Sequence, residues 1–505
     1  MKKRKNRKEK IITALKNFSK LTPPKILVFL SISLFVVIIN LNFTRLDNDF
    51  WFLINTGKYI LNNGFPTIEP FTIHADLHFI VQQWLTDVIF YLVYSNFNIY
   101  GMFIFMSIMN IIITYLIYKI CMLVSNNKVK ISVIITILVD LIFSISFVTT
   151  RPQIFDVLIL LTELYLLESY LKKDNKKYLL GLPIVSLLMV NLHSSLWTMI
   201  FVFLLPYYAE IILKFKNEKN KLKSLIPITI IMLLVGLINP YGIESINYLF
   251  TSYGIEVINN YVTEMLPITL PNHLILFIYI FIVLISFYYN KGNNKLRYFF
   301  FTLGTCYLGL SHYKGYLYFI VASVISLSYN FKDVFKEELS NYDLGSYKKY
   351  LIILFLIYSA GIYTGFFYIV DIEERARPYL YEVADYLDEN ATKDIKLYTS
   401  YETGSYLEYR GYKCYIDPRA EVFLKANNKK EDILDEYYQL QTEDYDYEAF
   451  LIKYNFDYLV VTESDKLYNY MDKTNYEMVY EKLTKTPFQE SKVNIRIYKR
   501  MSVIE

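Results

Sequence analysis

Apolar residues in this chain gather into long blocks, over residues 25 to 43, 99 to 124, 131 to 149, 153 to 171, 178 to 194, 196 to 213, 225 to 239, 273 to 290, 297 to 312, 314 to 330 and 349 to 370. A helix needs roughly 20 apolar residues to cross a bilayer, so the pattern predicts about 11 transmembrane helices. Between the first two blocks lies a polar, aromatic-rich loop, residues 44 to 96. From Phe50 to Leu61 apolar positions recur at 50, 53, 54, 57, 60 and 61, one stripe of period 3.6. Asn62-Asn63-Gly64-Phe65-Pro66 ends it. Val81, Trp84, Leu85, Val88, Ile89 and Leu92 repeat the device, with Gln82, Gln83, Thr86 and Asp87 opposite. Both pieces are expected to lie in the membrane interface rather than through it.

After residue 371 the apolar runs shorten and charge rises, which marks a separate domain over 371 to 505. Leu380, Val383, Ala384 and Leu387 form a helical stripe. Strands are predicted at Ile395 to Thr399, Tyr412 to Ile416, Phe456 to Thr462, Tyr476 to Tyr480 and Val493 to Tyr498, with one long helix at Glu431 to Lys453. Alternating strands and helices predict a small soluble α/β layer domain.

Composition agrees: 54% of the 505 residues are hydrophobic and the mean hydropathy is +0.27, the balance of a multi-pass membrane protein. The net charge of +4 is modest. Its basic residues sit in short clusters between apolar blocks, so they report orientation and not nucleic-acid binding. Residues 1 to 24 read as a basic cytoplasmic N-terminus ahead of a retained first span over 25 to 43, because no small-residue cleavage site follows. The clusters Lys172 to Lys177, Lys214 to Lys223, Lys291 to Arg297 and Lys332 to Lys349 are likewise expected inside, with two spans between each and the next. Parity then keeps 80 to 95 outside, along with 149 to 153, 191 to 195, 239 to 272, 311 to 315 and the whole C-terminal domain. Cys121, Cys306 and Cys414 are too scattered for a disulfide framework or a zinc site.

The candidate chemistry collects on that outer side. Asp47 and Asp49, at i and i+2, are placed to bind a divalent cation such as Mg or Mn against phosphate, or to serve as general base toward an acceptor hydroxyl. Asp49 equally suits the N-cap of the helix that begins at Phe50. Glu69, His74, Asp76 and His78 add acid and imidazole to the loop, against the plainer reading of an ordinary wet loop. Topology gathers Arg151, His193, His312 and Lys314 at the outer rim, where cations hold phosphate; snorkelling explains Lys314 as well. Asp140 and Glu163 lie mid-span, which favours helix-to-helix hydrogen bonding. Asp417, Arg419 and Glu421 cluster after a strand, either for acceptor binding or as a surface ion pair.

A first span with acidic residues at its outer end, two interfacial helices and then a second span resembles the membrane glycosyltransferases of GT-C fold. More narrowly, Asp47-Asn48-Asp49-Phe50-Trp51, Gly57, Pro66 to Thr72, Gln83-Trp84-Leu85, Arg151-Pro152, Asn191-Leu192-His193, Asn239 to Gly242, Tyr401 to Leu407 and Ile416 to Glu421 resemble a largely uncharacterised bacterial group near that class. The chain departs from that group where it has Leu53 in place of a histidine and Gln82-Gln83 in place of a His-Glu pair. The resemblance implies a bacterial plasma-membrane protein that takes a sugar from a polyprenyl-phosphate carrier and passes it to a glycan or protein acceptor on the outer face. Asp47 and Asp49 are then the expected catalytic pair, with Glu69, His74, Arg151, His193, His312 and Lys314 binding substrate. The alternative is a membrane protein that binds or transports a lipid-linked glycan without chemistry.

Overall fold

A computed structural model describes residues 46–252, 258, 262–334, 378, 380–442, 445–471, 474–485 and 492–501. The spans expected over 25 to 43 and 349 to 370 lie outside the described residues. The outer loop opens with helix α1, Asp49–Asn63, which ends where Gly64 takes a positive φ of 83°. Its predicted stripe is buried at Phe50, Leu53, Ile54, Gly57 and Ile60, whereas Leu61, its last member, is exposed.

Helix α2, Trp84–Val124, joins the second predicted piece to the next apolar block, but with the faces opposite to expectation: Gln82, Thr86 and Asp87 are buried, whereas Leu92 of the apolar stripe is exposed. Piece and block are separated where expected, because Asn98 leaves helical geometry with φ 52° and ψ −152° and bends the chain. The bundle continues through α3 (Val129–Phe147), α4 (Gln153–Lys173), α5 (Leu182–Leu192), α6 (Thr198–Leu213), α7 (Phe215–Val235), α8 (Ile243–Ser252), α9 (Leu274–Tyr289), α10 (Leu296–Ser311) and α11 (Tyr316–Asn330). Among the described residues two helical stretches, Trp84–Val124 and Ser194–Leu213, are long and apolar enough by themselves to cross a membrane. Large apolar side chains such as Ile104, Ile108, Leu205, Ile230, Phe281 and Leu303 point outward from these helices, as lipid-facing positions do.

Two expectations need correction here. The block at 178 to 194 opens as a tight 3₁₀ turn, Lys176–Gly181, and only the 11 residues of α5 are α-helical. The block expected over 225 to 239 is displaced: α7 runs Phe215–Val235 and carries the basic run on its first turns.

The C-terminal domain begins with α12 (Tyr381–Asn390) and contains β1 (Lys396–Tyr398), α13 (Gly404–Tyr409), β2 (Lys413–Cys414), α14 (Ile433–Gln439), α15 (Tyr447–Tyr454), β3 (Tyr458–Thr462), β4 (Tyr476–Lys485) and β5 (Lys492–Arg500). The sheet order is β2-β1-β3-β5-β4, with β2, β1 and β3 parallel and β5 and β4 antiparallel. The single helix expected at 431 to 453 is two helices. Asp432 and Asp446 each accept a backbone N–H, from Asp435 and Ala449, and each starts its own helix.

This domain is seated on the first outer loop. Thr72 pairs with Cys414 on the free edge of β2, and the Ile73 N–H donates to the Cys414 carbonyl at 3.0 Å. The loop therefore covers an edge that would otherwise be unpaired. On the other side α13 packs on α1, with the Trp51 and Tyr406 rings 4.8 Å apart and the Ser405 hydroxyl donating to the Asn48 carbonyl at 2.9 Å.

Candidate active site at the acidic corner

Asp47, Asp49 and Arg151 meet where α1 starts beside the turn ahead of α4. The turn is built by its own backbone, Arg151 N–H donating to the Thr149 carbonyl at 2.8 Å, and Thr150 Oγ1 accepts the Asp47 N–H at 3.0 Å. Arg151 is thereby aimed at the pair. Its Nη2 stands 2.8 Å from Asp47 Oδ1 and 3.1 Å from Asp49 Oδ2, and its Nη1 pairs with Glu264.

The capping role falls on the other aspartate. Asn48 is the N-cap and makes no side-chain cap bond, whereas Asp47 Oδ1 accepts the Asp49 N–H at 3.1 Å and the Asp47 carbonyl accepts from Phe50 at 3.0 Å. Asp49 stands inside the first turn, free of that duty. Its side chain keeps 21% of its surface open, against 9% for Asp47.

Burial lifts the Asp49 carboxyl to about 7. The Arg151 guanidinium opposes that rise, the negative charges of Asp47 and Glu421 add to it, and Lys314 opposes it in turn. Lys314 and Glu421 are thus part of the same electrostatic corner, Lys314 from the turn between α10 and α11 and Glu421 from the outer domain. Glu264 completes it from the stretch before α9. Glu421 belongs to the cluster after a strand that the sequence singles out, whereas Glu264 carries no local sequence signal.

His193, Glu69 and His74 find their partners away from that corner. His193 Nδ1 is 2.7 Å from Asp156 Oδ2 on the first turn of α4, so it pairs with a buried carboxylate and not with the acidic corner. His312 ends α10, its N–H donating to the Leu308 carbonyl at 3.1 Å. Glu69 is fully engaged in structure: Oε1 accepts from Phe71 N–H at 2.9 Å and Arg419 at 2.8 Å, and Oε2 accepts from the Thr72 N–H and hydroxyl at 2.8 and 2.7 Å. His74 donates from Nε2 to the Tyr415 carbonyl at 2.7 Å among the rings of Tyr415, Phe423 and Tyr454. Burial lowers its pKa, which opposes the protonated, phosphate-binding form.

The group Asp417, Arg419 and Glu421 is not a surface ion pair. Arg419 is buried, bonded to Asp417 and Glu69 and 3.7 Å from Glu408, and its cation lies over the rings of Phe71 and Phe79 at 5.2 Å each. It locks the outer loop to the C-terminal domain. Glu408, which sequence reasoning missed, is pushed well above the ordinary carboxylate range by burial, with Asp417 adding to it.

Whether the corner suits a metal ion follows from its geometry. Both aspartates converge on the Arg151 guanidinium, and among the described residues no group of three His, Cys, Asp or Glu side chains is arranged to hold a metal. The positive charge between the carboxylates is therefore the chain's own, and the pair as arranged does not fit a divalent cation.

No protein-family model matches the chain, and no curated protein does. Solved structures do. The oligosaccharyltransferase of Archaeoglobus fulgidus in its apo form superposes with a TM-score of 0.56 and 14% identity, covering 86% of this chain and 69% of its own. The same organism's AglB in complex with an inhibitory peptide and a dolichol-phosphate gives 0.56 and 13% over the same shares. ArnT of Cupriavidus metallidurans, bound to undecaprenyl phosphate, gives 0.53 and 10%, covering 94% of this chain and 98% of its own. At such identities the likeness speaks for architecture, and the architecture of this chain is a GT-C-like glycosyltransferase fold.

Proposed function

We propose that the chain is a membrane glycosyltransferase that transfers a sugar, with inversion, from a polyprenyl-phosphate donor to an acceptor on the outer face of the membrane. The observation that carries the reading is Asp49 itself. It is a carboxylate freed from capping, flanked by Asp47 and Arg151, and lifted by burial to about 7, where a general base works best at neutral pH. The fold supports the donor class, since the similar AglB and ArnT structures hold dolichol-phosphate and undecaprenyl phosphate.

In this mechanism Asp49 takes the proton of the acceptor hydroxyl as its oxygen attacks the anomeric carbon. The bond from that carbon to the phosphate oxygen breaks, and the lipid phosphate leaves with the electron pair. Arg151 holds Asp47 and Asp49 in register. Lys314, which interacts electrostatically with Asp49, faces the charge that grows on the departing phosphate.

The test compares Asp49→Asn and Asp47→Asn for glycan products in cells, with binding of undecaprenyl phosphate by the purified variants measured alongside. Asp49→Asn is expected to abolish product while carrier binding persists. Unchanged product from Asp49→Asn removes it from the chemistry, and the reading falls back to a carrier-binding protein.

A further inference from the structure

At the other end of the bundle from the acidic corner the basic clusters converge. Arg151 precedes α4 and Lys172 lies near its far end; 21 helical residues at ~1.5 Å each separate the two ends by about 30 Å. A cavity of about 450 Å³ opens there, within the size range of small-ligand sites. All four clusters that the sequence places inside the cell reach into it: Lys172 from the first, Lys214 and Lys221 from the second, Lys295 and Arg297 from the third, and Lys332 from the fourth. Six cations meet three carboxylates, Glu168, Glu210 and Glu218.

The carboxylates are already spoken for. Arg297 donates to Glu168 from Nε at 2.9 Å and from Nη2 at 3.0 Å, and to Glu210 from Nη1 at 2.7 Å. The Tyr298 and Tyr207 hydroxyls also donate to Glu168. Lys214 pairs with Glu210 and Lys221 with Glu218. That leaves Lys172, Lys295 and Lys332 with no carboxylate partner among the described residues. Lys172 reaches Asn126 Oδ1 at 2.9 Å, while Lys295 and Lys332 lie over the Tyr329 ring at 4.7 and 3.8 Å.

We propose that this cavity is a binding site for a phosphate-bearing anion, held by Lys172, Lys295 and Lys332 above the buried Arg297–Glu168–Glu210 floor, separate from the outer site. A basic pocket between helices at the inner membrane surface is built to take an anionic headgroup, and a soluble phosphate offers the same chemistry. Burial, with Arg297 adding to it and Glu168 and Glu210 opposing, lowers the Lys295 ammonium to about 8.

The test is thermal unfolding of the purified full-length chain in uncharged detergent micelles. It is titrated with sodium pyrophosphate at constant ionic strength or with dioleoyl phosphatidylglycerol, with dioleoyl phosphatidylcholine as control. A saturable rise in Tm is expected with pyrophosphate, with phosphatidylglycerol or with both, and the active probe identifies a soluble phosphate or a lipid as the source. Lys295→Gln/Lys332→Gln is expected to weaken that response about tenfold while Lys295→Arg/Lys332→Arg retains it. Should the glutamine pair fail to fold, Lys332→Gln alone takes its place. The proposal is overturned if neither probe raises Tm saturably, if the glutamine variant responds like the parent, or if Lys176→Gln/Lys177→Gln, outside the cavity, loses the response equally.

Discussion

Arg419 donates from Nη2 to Glu69 Oε1 at 2.8 Å across 350 positions of sequence, and so fastens the C-terminal domain to the first outer loop. Asp417, Glu69 and Glu408 surround that guanidinium, and all are buried. Arg419→Gln strands the charge of Asp417 and Glu69 in a dry joint, at a cost of about 3–5 kcal/mol. Arg419→Lys does not restore it, because a lysine cannot reproduce the forked contacts. Both variants are expected to lower Tm sharply and to expose the joint between Thr72 and Cys414 to hydrogen exchange. A Gln variant melting with the parent would refute the assignment.

Gly57 sets how closely α1 approaches α2. A Cβ at this position would lie 2.1 Å from the Asp87 carbonyl oxygen and 3.0 Å from Tyr91 Cβ. The obstacle is backbone, which cannot swing aside, so Gly57→Ala is expected to cost about 3 kcal/mol, the upper part of the overpacking range. Because α1 carries Asp49, glycan product should fall together with Tm. Gly57→Ala with parental stability would show that the helices separate freely.

Much of this arrangement was legible in the sequence, for identifiable reasons. The stripe from Phe50 to Ile60 and the break between 95 and 99 follow from local periodicity, and both appear as α1 and the bend at Asn98. Span parity groups Asp47, Asp49 and Arg151 on one side and no more; that the guanidinium pairs with both carboxylates emerges only in the fold. What escaped depended on distant partners or on a local signal given too little weight. Glu69 looked like a wet loop carboxylate because nothing near it in sequence announces Arg419. The roles of Asp47 and Asp49 were indistinguishable until the backbone at Asn48 fixed which one caps. Asp446 did carry its signal, an N-cap residue ahead of Tyr447, Phe450 and Leu451, and the expectation of one continuous helix over 431 to 453 passes over it.

Asn98 pays for the bend between the interfacial part of α2 and its membrane part, since φ 52° with ψ −152° is a conformation side chains avoid. Asn98→Gly relieves it and is expected to stabilise the chain by about 1 kcal/mol, whereas Asn98→Val costs about 1–3 kcal/mol. Paired melting curves decide the matter. A lower Tm for the glycine variant would mean that the asparagine side chain, not the backbone, holds the bend.

The pH dependence of transfer tests Asp49 most directly. A base must be unprotonated, so product formation is expected to rise with pH through a midpoint near 7, the value to which burial lifts this carboxyl. Its neighbours then predict opposite displacements. Asp47→Asn removes a negative charge that raises the midpoint, so the profile moves to lower pH; Arg151→Gln removes a cation that lowers it, so the profile moves to higher pH. Stability supplies an independent check. Because the folded chain holds this proton more tightly than the unfolded one, whose carboxyl sits near 3.8, Asp49 costs stability progressively as pH climbs from there to about 7. Asp49→Asn should therefore flatten Tm over that window as well as abolish product. A rate profile that neither Asp47→Asn nor Arg151→Gln displaces would place the titrating base elsewhere, even if both variants were slow.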